Sequence, residues 1–206
     1  MRHSAPVTLT AVAVLLGGCG GAGSGATSST DGEHPSAAGE TSAGAAAVAK
    51  PAPSQVRAEP PVSVTFPSGR VLPVDPAETL PDGALAVPQD IHRAGWWTGS
   101  SRLGDPFGSV VLAAHVDSFS QGVGPAAELL SARPGDTVRL TGRHLAQKYV
   151  ITSVRLVPQA DLRRRSVVFS AAGDRRLVLI TCGGTYDASL GGYQDNVVVV
   201  ARPAKR

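Results

Sequence analysis

Two side chains in this sequence stand where covalent chemistry would need them. Cys182 ends the apolar run Leu177-Val178-Leu179-Ile180-Thr181-Cys182 and is followed at once by Gly183-Gly184. A thiol at the end of a buried strand, next to residues without side chains, can be approached closely by the backbone of a substrate. The chain has 2 cysteines. If Cys19 is consumed by modification, Cys182 has no disulfide partner, and a lone thiol in an exported protein is a candidate nucleophile. The same position also suits a buried structural cysteine, among the commonest fully buried residue types.

A thiol attacks only as thiolate, so a catalytic cysteine generally needs a histidine or another cation nearby. Of the 5 histidines, His3 and His34 lie in the N-terminal segments described below. His92 follows Pro88-Gln89-Asp90 in a loop, and His144 sits in the turn Gly142-Arg143-His144. His115 differs, because it closes the apolar strand Leu112-Ala113-Ala114-His115. Two central strands ending in His115 and Cys182 would bring both side chains to one rim if they are neighbours. From spacing alone, a hydrogen-bonded histidine at a strand end reads equally well.

The elements that must position these residues are short strands. After residue 56 the pattern is period-two and β-branched, punctuated by Gly, Pro and Asp. It predicts strands at 62–66, 70–74, 84–87, 109–115, 137–141, 148–157, 167–169, 177–182 and 196–201. Val110-Val111-Leu112-Ala113-Ala114 and Val197-Val198-Val199-Val200 are apolar at every position, so these strands are expected to be buried on both faces. Helix is expected only at 125–131, which Pro opens, and in a turn or two at 159–164. The fold class is mainly β, a small barrel or sandwich with one or two short helices.

The 206-residue length allows one domain once processed segments are subtracted, and a formal net charge of +3 is too small for a nucleic-acid footprint. Arg2 and His3 precede an uncharged run, Ser4 to Gly18, that is shorter than the roughly 20 residues of a membrane span. Residues 1–18 therefore read as an export signal, and Leu16-Gly17-Gly18-Cys19 resembles a bacterial lipobox. That resemblance implies cleavage before Cys19 and a lipid on its thiol. An uncleaved anchor and a plain secretory peptide are the other readings. From Gly20 to Gln55, Gly, Ala, Ser, Thr and Pro fill 29 of 36 positions, too little apolar surface to offset ordering entropy. Residues 19–55 are expected to be a flexible tether, spanning about 30–36 Å, and residues 56–206 the working domain.

Ala114-His115-Val116-Asp117-Ser118, Leu179-Ile180-Thr181-Cys182-Gly183-Gly184 and Tyr193-Gln194-Asp195-Asn196-Val197-Val198-Val199 together resemble the class F sortases of actinobacteria. Asp82-Gly83-Ala84-Leu85-Ala86-Val87-Pro88, Gly95-Trp96-Trp97 and Arg133-Pro134-Gly135-Asp136 support the match, with every block in the family's order. The resemblance implies a closed eight-stranded β-barrel and a membrane-associated cysteine transpeptidase. It places the general acid and base at His115 and the nucleophile at Cys182. The family's third residue is an Arg in Tyr-Arg-Asp-Asn, and Gln194 stands in that position here. Gln offers a neutral donor where Arg offers a permanently charged, planar set, with Arg175, Arg176 and Arg202 as conceivable substitutes. Thr181, Asp117 and Asp195 are possible supporting residues.

The implied partners are the LPxTG-like sorting motif of a surface protein, an amine of a peptidoglycan precursor, and the membrane through Cys19. The chain would act as a monomer on the outer face of the membrane, without nucleic acid. No cofactor is implied, and no spacing of Cys and His suits a zinc site. A sortase-like module that binds sorting peptides or wall components without turnover is the rival that Gln194 favours. An L,D-transpeptidase is a third reading, but its Cys is typically followed closely by Arg, whereas Gly183-Gly184 follow here. Trp96-Trp97 are expected in the core, and Arg163-Arg164-Arg165 as a solvated surface run.

Overall fold

The computed structural model describes residues 56–162 and 166–205. The segments expected to be an export signal and a tether, with Cys19, and Arg163-Arg164-Arg165 lie outside the described residues.

Eight strands close into a barrel. In chain order the strands are β1 (Ser63–Thr65), β2 (Val71–Ala77), β3 (Ala94–Trp97), β4 (Ser109–Ala113), β5 (Asp117–Ser118), β6 (Gly122–Val123), β7 (Thr137–Thr141), β8 (Ala146–Pro158), β9 (Arg176–Asp187) and β10 (Gly192–Pro203). Around the barrel the order is β1-β2-β3-β4-β9-β10-β8-β7, and β7 pairs back onto β1. β5 and β6 form a separate two-stranded hairpin. Two pairings are parallel, β2 with β3 and β4 with β9; the others in the barrel are antiparallel.

Alternation along the central strands builds two apolar layers. Val110, Leu112, Leu177, Leu179, Val197 and Val199 fill the barrel interior. Val111, Ala113, Val178, Ile180 and Val198 point outward into a second cluster, covered by Leu162, Val168, Phe169 and Trp97. Burying each Val or Leu contributes about 1.5–3 kcal/mol. The uninterrupted apolar runs of β4 and β10 are therefore explained: the strands they form have no solvent-facing side at their centre.

The predicted turn at 125–131 is a 3₁₀ helix, Pro125–Leu130, and the one at 159–164 begins as α1 (Gln159–Leu162). Two expected strands are corrected. Residues 84–87 make only an isolated bridge, Thr79 to Leu85, and Leu85 and Val87 pack instead on the outer cluster. Residues 167–169 fall in α2 (Ser166–Phe169), whose Val168 and Phe169 cover the barrel wall. Packing against the outer cluster overrides the β-propensity of Val and Phe there. β3 and the β5–β6 hairpin were not expected, being too short to show alternation. Trp96 and Trp97 do pack in the two layers, Trp97 meeting Phe169 edge to face at 5.6 Å.

Tyr149 on β8 is fully buried, and its hydroxyl has no hydrogen-bond partner among the described residues. Burial pushes the phenol up to about 12 against the opposing charge of Arg175. An unfolded phenol ionises near 10, so stability is full below that value and falls as pH rises from 10 towards about 12. The loss amounts to about 2–3 kcal/mol. Tyr149→Phe should abolish this alkaline loss and leave neutral-pH stability unchanged or up by about 1 kcal/mol. Denaturant titration above and below the window checks both.

Candidate active site

The parallel register of β4 and β9 aligns Ala113 with Ile180 as its last pair. Beyond that pair the Ala114 N–H donates to the Ile180 carbonyl at 3.1 Å. The Thr181 hydroxyl, in a residue 2% exposed, donates to the Ala114 carbonyl at 2.8 Å. These bonds hold the two strands together up to the point where His115 and Cys182 emerge, at the same end of the barrel. Ala113 and Ile180 both face the outer cluster. Cys182, two residues further along β9, shares that parity, and His115 lies two residues past the end of β4.

Both side chains are half-buried, and no hydrogen bond joins the imidazole to the thiol among the described residues. Burial pushes the Cys182 thiol above its ordinary value, and the charge of Asp117 pushes it further. Both effects disfavour the thiolate. Nucleophilic attack would require a proton acceptor to be brought against it.

Asp117 opens the β5–β6 hairpin two residues after His115. Its carboxylate accepts a hydrogen bond from the Tyr193 hydroxyl at 2.7 Å. The Tyr193 ring in turn meets Tyr186, its partner across the β9–β10 hairpin, edge to face at 5.2 Å. Gln194 follows Tyr193 on β10. Period-two alternation puts Gln194 on the side of Asn196, the residue paired with Cys182. The Gln194 amide donates to the Gly192 carbonyl at 2.7 Å, so it is turned back along its own strand. Asp195 is half-buried and paired with Gly183.

The two glycines after Cys182 serve the hairpin itself. A Cβ on Gly183 would lie 2.8 Å from Val197 Cγ2 and 3.1 Å from Leu130 Cδ2. Gly184 has φ +77°, and a Cβ there would lie 2.2 Å from Asp195 Oδ2. The register shift between Tyr193 and Asp195 leaves an extra residue on β9 at this point, a bulge that left-handed glycine accommodates. The sequence suggests that these glycines open the way for substrate; the structure requires them for packing and turn geometry.

None of the three conceivable substitute arginines reaches this rim. Arg176 begins β9, roughly 20 Å along the strand from Cys182, and its guanidinium binds the carbonyls of Val167, Ser170, Ala172 and Asp174. Arg202 pairs with Asp174 at 2.9 Å. Arg175 and Arg202 line a cavity of about 800 Å³ with Val56, Phe107 and Pro203, at the opposite end of β9 and β10 from the cysteine. No group of three or more His, Cys, Asp or Glu able to hold a metal occurs among the described residues. No helix among them is long and apolar enough to cross a membrane.

The site thus gathers His115, Thr181, Cys182, Asp117 and Gln194 at one end of the barrel. Tyr193 was not singled out in the sequence as a site residue. Its place directly before Gln194 was the available signal, but its bond to Asp117 depends on a contact 76 residues away.

A comparison with curated proteins finds no match. Among solved structures, sortase C-1 from Actinomyces oris aligns with a TM-score of 0.53 at 18% identity, covering 70% of this chain and 71% of that one. Sortase A from Corynebacterium diphtheriae aligns with a TM-score of 0.53 at 15% identity, covering 74% of this chain and 64% of that one, so less than two thirds of its length is spanned. Sortase C from Streptococcus pneumoniae aligns with a TM-score of 0.53 at 16% identity, covering 74% and 69%. At such identities these likenesses establish the fold. The family model for the sortase domain matches residues 71–204, which include β4, β9 and β10 entire, and the chain belongs to the sortase family.

Proposed function

We propose that this chain is a class F sortase-like cysteine transpeptidase acting on the C-terminal, LPxTG-like sorting motif of surface proteins. The observation that carries the reading is the β4–β9 register, which delivers His115 and Cys182 to one rim of a sortase-family barrel. Sortase-family members are cysteine transpeptidases.

In this reading the Cys182 thiolate attacks the scissile carbonyl carbon and forms a tetrahedral oxyanion. The C–N bond then breaks, His115 protonates the departing amine, and a thioester remains on Cys182. An amine of a peptidoglycan precursor attacks the thioester, His115 takes up its proton, and the sulfur leaves as thiolate. Backbone N–H groups beside Cys182 would hold the oxyanion, with only neutral help from the Gln194 amide, one of whose two N–H donors is engaged by the Gly192 carbonyl. A lipid on Cys19 and the tether of residues 19–55 would hold the domain at the outer membrane face, near both substrates.

The purified protein, incubated with a panel of sorting-motif peptides, should gain the mass of an acyl fragment on Cys182, and Cys182→Ala should gain none. Peptide binding without any adduct would replace the transpeptidase by a binding module of the same fold. Crosslinking of stem peptides without motif cleavage would point to L,D-transpeptidase chemistry.

A further inference from the structure

The β5–β6 hairpin is a slight structure in an exposed place. It consists of two paired positions, Asp117 with Val123 and Ser118 with Gly122, and it carries the fully exposed Phe119. On one side Gln121 fastens it to the preceding loop, donating to the Gln89 carbonyl at 2.9 Å and accepting from the Ile91 N–H at 3.3 Å. On the other side the Asp117–Tyr193 bond reaches β10. Asp117 is therefore shared between the segment that carries His115 and the hairpin that carries Cys182 and Gln194.

We propose that the Asp117–Tyr193 pair is a positioning clip: it fixes the His115 segment against the β9–β10 hairpin and holds a carboxylate at the rim that carries Cys182, where it restrains the thiol. The idea deepens the transpeptidase reading and rests on it for the role of Cys182.

The titratable groups on the elements around the thiol are few. They are His115 after β4, Asp117 on β5, Tyr193 and Asp195 on β10, and Tyr186 and Asp187 further along β9. Glu128, on the 3₁₀ turn packed near β9, is engaged by the Ser68 N–H and hydroxyl. Among all these, Asp117 is the group whose charge raises the thiol. The Tyr193 phenol is likewise raised, first by its hydrogen bond to Asp117 and then by burial. Tyr193 donates to the carboxylate without neutralising it. The clip can therefore be unfastened and its charge removed by different substitutions.

Asp117→Asn keeps an oxygen acceptor for Tyr193 and removes the charge; Tyr193→Phe keeps the charge and removes the bond. Iodoacetamide alkylation, read by mass on the Cys182 peptide across a pH series, needs no peptide substrate. Asp117→Asn should shift the alkylation curve to lower pH and raise the neutral-pH rate about threefold or more. Tyr193→Phe should not lower the curve, but should cut kcat for acyl transfer about tenfold with little change in KM. An Asp117→Asn curve superimposed on that of the wild type overturns the restraint, and a Tyr193→Phe enzyme with unchanged kcat overturns the clip. A shifted Asp117→Asn curve in a protein that never forms an acyl adduct would support the restraint and sink the transpeptidase reading instead.

Discussion

Gln194→Arg should speed formation of the thioacyl adduct at Cys182 by about 10²-fold, within the 10²–10³ range that a principal oxyanion donor commands. The wild-type amide is neutral, and one of its two N–H donors is engaged by the Gly192 carbonyl at 2.7 Å. A neutral hydrogen bond contributes about 0.5–1.5 kcal/mol and a charged one about 1.5–3 kcal/mol. Arg brings five donors in a planar fork, so one can retain Gly192 while the others face the reacting carbonyl. Its position on the side of Asn196, the partner of Cys182, gives the cation a short path to the sulfur. The same charge should draw the thiol's alkylation curve to lower pH, opposing burial and Asp117. Single-turnover mass spectrometry of the variant and wild type measures the first effect. A rate that does not rise would mean that backbone donors already supply the oxyanion support.

Arg176→Leu should lower stability by about 1.5–3 kcal/mol, the size of a lost charge-assisted hydrogen bond. Arg176 is 7% exposed, and it binds carbonyls of Asp174 at 3.0 Å, Val167 at 2.8 Å, and Ser170 and Ala172 each at 3.3 Å. It gathers the end of α2 and the following loop onto the start of β9. Leucine fills part of the volume but leaves those acceptors without their donor. α2 is also the cover over Val111, Val178 and Ile180, so loosening it uncovers apolar surface as well. Arg176→Lys should recover only part of the loss, because an ammonium cannot reproduce the reach of the fork. Denaturant unfolding measures the change in each variant. The effect should appear in stability well before it appears in adduct formation, since Arg176 sits at the other end of β9 from Cys182.

What the sequence made legible was mostly what a period of two can carry. The runs at Val110–Ala114 and Val197–Val200 announced strands buried on both faces, and those strands now flank or pair with the one that carries Cys182. That His115 and Cys182 could lie at one rim was an open possibility from spacing; their place at one end of the barrel follows from a parallel register that no local pattern encodes. The Val167–Phe169 segment misled because its residues favour strands, while their helical conformation depends on a barrel wall built by distant chain. The glycines after Cys182 were visible as unusual residues, yet their cause, contact with Val197, Leu130 and Asp195, lies in tertiary packing. Gln194 could be flagged from the motif, but the direction of its amide could not. Asp117 was visible beside His115, and its bond to Tyr193 was not, because that bond closes a long loop.

The parallel pairing of β4 with β9 also bears on when the chain becomes competent. Thr181 and Ala114, whose bond sets the register at the rim, are 67 residues apart. Closing a loop of that length carries an entropic cost that must be met before the contacts it allows can repay it. β9 is also flanked on its other side by β10, which follows it in the chain. A chain made N-terminus first would therefore complete the His115 segment well before β9 brings Cys182 to it. The thiol joins its environment only when β10 pairs with β9, so a chain cut or stalled before β10 would expose an ordinary cysteine in place of a site.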